Sequence, residues 1–229
     1  MQANQLSFWV LAICYIIYFL VSCFAWKEDQ LNIDGRNGLL HSLRGINCKH
    51  LAGIIVLGLP LLLYRRFWLD LLQFEQAGVP EKIPVVLFLL ITAGLLALGK
   101  AKKRSRVLAL PKTAGGKPDL SEIYSYLFLR TGFLIVYECF FRGLMLTACV
   151  AICGIPVAIL INLIFYAGIH VFNGYREMLS CILFGLIVCG LVLWDHSVLP
   201  AISVHLVMAL IYESYLIFLP EPSPKTLTA

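Results

Sequence analysis

Glu138, Arg142, His170, His205 and Glu213 are ionisable side chains set in otherwise apolar stretches. An ionisable group at the centre of a bilayer costs about 3 kcal/mol or more, so each is a functional-site candidate by default. Glu138 and Arg142 are four residues apart, hence on one helical face, where a carboxylate N-terminal to a cation pairs directly. That pair reads two ways: a structural ion pair that fixes one helix and leaves no free base, or part of a reaction centre. His170 and His205 lie in different stretches. Either one alone is an ordinary packed, hydrogen-bonded side chain. Two beside a buried carboxylate can activate water or bind a metal. The sequence requires no cofactor, and a divalent metal stays open. Glu213 lies two turns beyond His205, about 12 Å along the same helix. It either reaches the same cavity or sits near the interface. Asp195-His196 reads as a solvated turn, and Cys139, Phe140 and Phe141 as packing residues.

The elements that position these groups follow from composition. The 229 residues are 60% hydrophobic and 14% charged, with a mean hydropathy of +0.87, too apolar for a soluble domain of this length. The apolar residues fall in blocks near the roughly 20 residues that a helix needs to cross a hydrocarbon core. Helices are expected because a backbone in lipid must satisfy its own hydrogen bonds, and the alternating segments of a membrane barrel are absent. The fold class is therefore all-α, a polytopic membrane bundle of about seven spans. They are expected over Ser7–Trp26, Leu51–Tyr64, Ile83–Gly99, Tyr124–Val150, Ile155–Val171, Met178–Leu193 and Val198–Leu219. Trp9 and Trp26 read as interfacial anchors of the first. Phe67–Val79 is amphipathic and reads as an interfacial segment. Met1–Leu6 carries no positive charge and the following apolar run is too long for a cleavable signal.

The organisation reads as N-terminal helices and a basic loop over 1–119, a helical core over 120–219 and a tail over 220–229. The net charge of +5 sits in loops beside the spans, the pattern of topology and anionic headgroups rather than of nucleic-acid binding. The positive-inside rule puts the Lys100–Lys117 loop, the Lys27–Lys49 loop and the C-terminus in the cytoplasm, with Arg65-Arg66 on the opposite side. Most of the 8 cysteines lie in apolar stretches; they read as small hydrophobes without a zinc pattern.

Three runs in the C-terminal half resemble the motifs of the CPBP family, the CAAX prenyl proteases and bacteriocin-processing enzymes. Tyr137-Glu138-Cys139-Phe140-Phe141-Arg142-Gly143 is similar to its Glu-Glu-x-x-x-Arg motif. Tyr166 to His170 is similar to Phe-x-x-x-His, and the run Ser197 to His205 leads into the position of His-x-x-x-Asn. The resemblance covers about Leu120 to Leu219 and implies an intramembrane endopeptidase in a bacterial cytoplasmic membrane, with lipid and a membrane-associated peptide or protein as partners. It implies that Glu138 is the second Glu and pairs with Arg142, that His170 is the water-binding His, and that His205 is the oxyanion-side His. Tyr137 stands in place of the first Glu and Ala209 in place of Asn. A phenol, with a pKa of about 10, is a poor base at neutral pH. An alanine offers no donor, and losing one oxyanion donor costs about 10²–10³ in rate. The standard site is incomplete, so three functions compete. One is a peptidase with a rearranged site, Glu138 or Glu213 serving as base with His170 and Tyr137 donating to the oxyanion. The second is a non-catalytic membrane scaffold that binds a partner or peptide. A transporter ranks last for want of an inverted repeat.

Overall fold

Blocks of apolar residues this long satisfy their backbone by coiling, and the chain does so throughout its described part. The computed structural model describes residues 2–32, 43–64, 79–108 and 120–218. Helix α1 spans Gln2–Asn32, α2 Leu43–Leu63, α3 Val79–Leu108 and α4 Leu120–Glu138. A π-helical segment, Cys139–Met145, joins α4 to α5 (Leu146–Cys153), making one continuous rod. Then come α6 (Ile155–Ile169), a 3-10 turn (His170–Asn173), α7 (Tyr175–Asp195) and α8 (Leu199–Phe218). No strand occurs among the described residues. Seven helical rods are long and apolar enough to cross a membrane, so this is an integral, multi-pass helical protein.

Two glycines set the joints. Gly154 (φ 77°) separates α5 from α6, and Gly174 (φ 98°) separates the 3-10 turn from α7; positive φ is costly for any residue with a Cβ. Pro156 in the first turn of α6 has no helical hydrogen bond to lose there. Where helices cross closely, small residues make room. A Cβ on Gly53 of α2 would lie 2.5 Å from the Phe133 ring of α4. In lipid such packing, rather than expulsion of water, holds helices together.

The Leu120–Cys153 rod is the hub, with 72% of it buried against 11% of the α3 span. Its Phe133, Phe140 and Phe141 share one core with Tyr15 and Tyr18 of α1, Leu57 of α2, Tyr166 of α6 and Val188 of α7. Helix α3 joins through a smaller cluster, Ala93 against Leu191 and Val204. Ion pairs mark its two ends: Lys82–Asp195 at 3.1 Å and Lys100–Glu177 at 3.7 Å, which set α3 antiparallel to α7.

The first of these pairs corrects the reading of Asp195-His196 as a solvated turn. His196 is exposed, but Asp195 is 1% exposed because α7 continues through it. The start of α3 at Val79 then brings Lys82 alongside. The π-helical stretch also replaces the regular helix expected around Arg142. Met1 and residues 33–42, 65–78, 109–119 and 219–229 lie outside the described residues, and with them Arg65-Arg66, nearly all of Phe67–Val79, the tail and the second half of the basic loop, as does the side chain of Trp26. The first half of that loop is helix instead, because α3 runs on through Lys100 to Leu108.

Candidate active site

The hub rod supplies Tyr137, Glu138 and Arg142; α6 and the 3-10 turn supply Tyr166 and His170; α8 supplies His205, Ala209 and Glu213. The π-helical segment begins immediately after Glu138. Its signature bond runs from the Leu146 N–H to the Phe141 carbonyl, five residues back. The same carbonyl accepts from Asn162 Nδ2 of α6 at 2.7 Å, and Asn162 Oδ1 accepts from the Cys189 thiol at 3.3 Å. A buried amide thus fixes the irregular turn that carries Arg142, in keeping with the tendency of π-bulges to occur at functional sites.

Glu138 and Arg142 are both 0% exposed. Arg142 Nε lies 3.6 Å from Glu138 Oε2, and its guanidinium lies 3.8 Å over the Tyr166 ring. A buried carboxylate needs such a compensating charge. The other oxygen, Oε1, is 2.6 Å from His205 Nδ1. The carboxylate is therefore shared by a cation and an imidazole.

Tyr137 stands between the two histidines. Its ring centroid is 6.4 Å from that of His170 and 6.3 Å from that of His205, edge-on to both. The residue is 2% exposed, and its hydroxyl has no hydrogen-bond partner among the described residues. His170 packs on Tyr166 at 5.1 Å and lies 3.9 Å, through Nδ1, from Glu177 Oε1. Phe184 of α7 covers the His205 ring at 5.2 Å. Ala209, one turn beyond His205, is buried.

Glu213 does not join this group. Its Oε1 accepts from Arg130 Nε at 2.9 Å. Arg130 Nη1 is also 3.4 Å from His50 Nε2, and His50 stacks on Phe133 at 5.1 Å. This second cluster was missed in the sequence. Arg130 carries the signal that singled out Glu138, a charge inside an apolar run. His50 falls one residue before the expected start of the second span at Leu51, whereas α2 begins at Leu43 and buries it. A buried ionisable residue thus lies within a span of the N-terminal half as well. Among the described residues no three His, Cys, Asp or Glu side chains come together as metal ligands.

A helical membrane bundle with a carboxylate, an arginine and two histidines converging from three helices defines a class of membrane-embedded protein, and comparison agrees with it. Residues 119–211 match the family described as Type II CAAX prenyl endopeptidase Rce1-like. The C-terminal half is thus an Rce1-like domain. Neither the curated proteins nor the solved structures yield a match to the chain.

Proposed function

We propose that the protein is an intramembrane endopeptidase that hydrolyses a peptide bond of a membrane-associated peptide or protein. The observation that carries this is the 2.6 Å contact between Glu138 Oε1 and His205 Nδ1. An ionised carboxylate can only accept, so the proton of a neutral His205 sits on Nδ1 and the lone pair on Nε2. An imidazole oriented in this way by a buried carboxylate is a general base. Its seat in the hub of an Rce1-like domain supports a peptide substrate presented from the membrane. The basic loops favour an orientation with the Lys100–Lys117 side in the cytoplasm; the membrane proposed is a bacterial cytoplasmic one. The direct test is hydrolysis by the purified chain in phosphatidylcholine–phosphatidylglycerol vesicles. The probe is a fluorescence-quenched peptide anchored by one apolar helix, with an active Rce1-like endopeptidase as reference. Cleavage that disappears in His205→Gln is expected; a probe cut by the reference and left intact by this protein overturns the reading.

A second reading, a scaffold that binds such a peptide without cutting it, is favoured by Arg142 on the other oxygen of Glu138. It predicts that the probe is retained, uncut, on the reconstituted protein.

A further inference from the structure

Tyr137 and Ala209 look like two independent losses from the family pattern, yet each removes from one side of the site what the other side supplies. We infer that the two halves of the reaction have changed places: His205 takes the proton of the attacking water, and the Tyr137 hydroxyl holds the oxyanion. The inference rests on the peptidase reading above.

The argument begins with what each side lacks. The His170 side has a phenol where a carboxylate base would stand, and a phenol at neutral pH donates a proton in a hydrogen bond and does not remove one. The His205 side has a methyl group at Ala209 where an amide donor would stand, so that residue offers nothing to a developing negative charge. The contacts then assign the roles. Glu138 Oε1 holds His205 Nδ1 at 2.6 Å, so His205 has a fully buried carboxylate in hydrogen-bond contact behind it. The loose contact of His170 with Glu177, at 3.9 Å, is no equivalent. Tyr137 is buried, and its hydroxyl is without a partner among the described residues. Leaving a buried hydroxyl unsatisfied costs about 1–3 kcal/mol, and such groups call for an explanation. An unpaired donor held in a buried site beside the base is what stabilises an oxyanion, because its reorganisation cost has been met before the reaction starts. The ring is fixed in place by Phe141 at 4.6 Å and Tyr166 at 5.6 Å.

The step balances without a further reagent. Water gives a proton to His205 Nε2 as its oxygen bonds to the scissile carbon. The carbonyl π electrons move onto oxygen, which accepts from the Tyr137 O–H. On collapse the C–N bond breaks, and the proton on Nε2 passes to the leaving amine. A carboxylic acid and an amine leave, and His205 is neutral again.

The test compares three substitutions in the vesicle assay with the quenched peptide, each protein checked for folding by its thermal transition. His205→Gln is expected to lower kcat at least about 100-fold. Tyr137→Phe keeps the ring and removes only the hydroxyl, and is expected to lower kcat about 100-fold with KM unchanged. His170→Gln is expected to be milder than either. A Tyr137→Phe protein that cuts at the wild-type rate overturns the exchange while leaving the peptidase reading in place. So does a His170→Gln protein more impaired than His205→Gln. A wild-type protein that cuts nothing the reference enzyme cuts removes the peptidase reading, and the exchange with it.

Discussion

Two clusters of one Glu, one Arg and one His are built around the same rod, and they differ in which residue sits in the middle. Around Arg130 the guanidinium is central: Nε meets Glu213 Oε1 at 2.9 Å and Nη1 lies 3.4 Å from His50 Nε2. A guanidinium only donates, so it takes up an imidazole lone pair. Around Glu138 the carboxylate is central, between His205 Nδ1 at 2.6 Å and Arg142 Nε at 3.6 Å. A carboxylate only accepts, so a neutral His205 in this contact has its lone pair on Nε2. On the proposed reading, the same three residue types make a lock in one place and a base in the other. Which of them the fold places centrally decides the chemistry.

The largest effect expected from this contrast is on stability. Glu138→Ala leaves the guanidinium of Arg142 buried and uncompensated, at a cost of about 3–5 kcal/mol. Glu213→Ala is expected to cost less, about 1–3 kcal/mol, because the Arg130 side chain is 24% exposed and can turn to water or headgroups. Thermal unfolding of both variants in the same vesicles measures the difference. Equal losses would show that the two arginines are equally buried in the membrane, and the comparison would lose its basis.

Next in size is the effect on activity of removing each histidine. His205→Gln is expected to lower cleavage at least about 100-fold, equivalent to about 2.7 kcal/mol of transition-state stabilisation. His50→Gln is expected to leave cleavage within about twofold, since a lone pair held by a guanidinium is unavailable for proton transfer. Equal losses of cleavage in folded proteins would mean that the Arg130 cluster also serves the reaction.

The architecture was legible because membrane helices announce themselves by block length, and a chain whose backbone must satisfy itself in lipid has few alternatives. Motif spacing likewise placed Glu138, His170 and His205 on separate helices. The contact between Glu138 and His205 was hidden, because it joins residues 67 positions apart and depends on how α8 lies against the rod. The π-helical turn was hidden too: nothing in Cys139–Met145 marks it, and its cause, Asn162, is on another helix. Arg130 was visible by the same rule as Arg142, whereas His50 became visible only once the start of α2 was known.

Gly185 sharpens the contrast on a smaller scale. A Cβ there would come 2.8 Å from Leu163 Cδ2 and 3.3 Å from both Arg142 Nη2 and Tyr166 Cδ1. Leu163 has a flexible end, while Arg142 is pinned between Glu138 and the Tyr166 ring. Gly185→Ala is therefore expected to cost about 1–2 kcal/mol of stability through overpacking, and to disturb the Glu138 cluster rather than the Arg130 cluster. A thermal transition unchanged from wild type would mean that the guanidinium has more room than its contacts indicate.

The smallest effect is expected at Glu177, and it bears directly on which histidine is the base. Glu177 is the carboxylate beside His170, as Glu138 is beside His205. Its side chain is 36% exposed, with the carboxylate 3.9 Å from His170 Nδ1 and 3.7 Å from Lys100 Nζ. Pairs of that length and exposure are worth about 0–1 kcal/mol, too little to hold an imidazole in one tautomer and orientation. Glu177→Gln is accordingly expected to change cleavage by less than about threefold, against the severe loss at His205. Were it to abolish cleavage in a folded protein, the working dyad would be His170–Glu177. The Glu138 cluster would then be a second lock, and the difference between the two clusters on the rod would carry no chemical meaning.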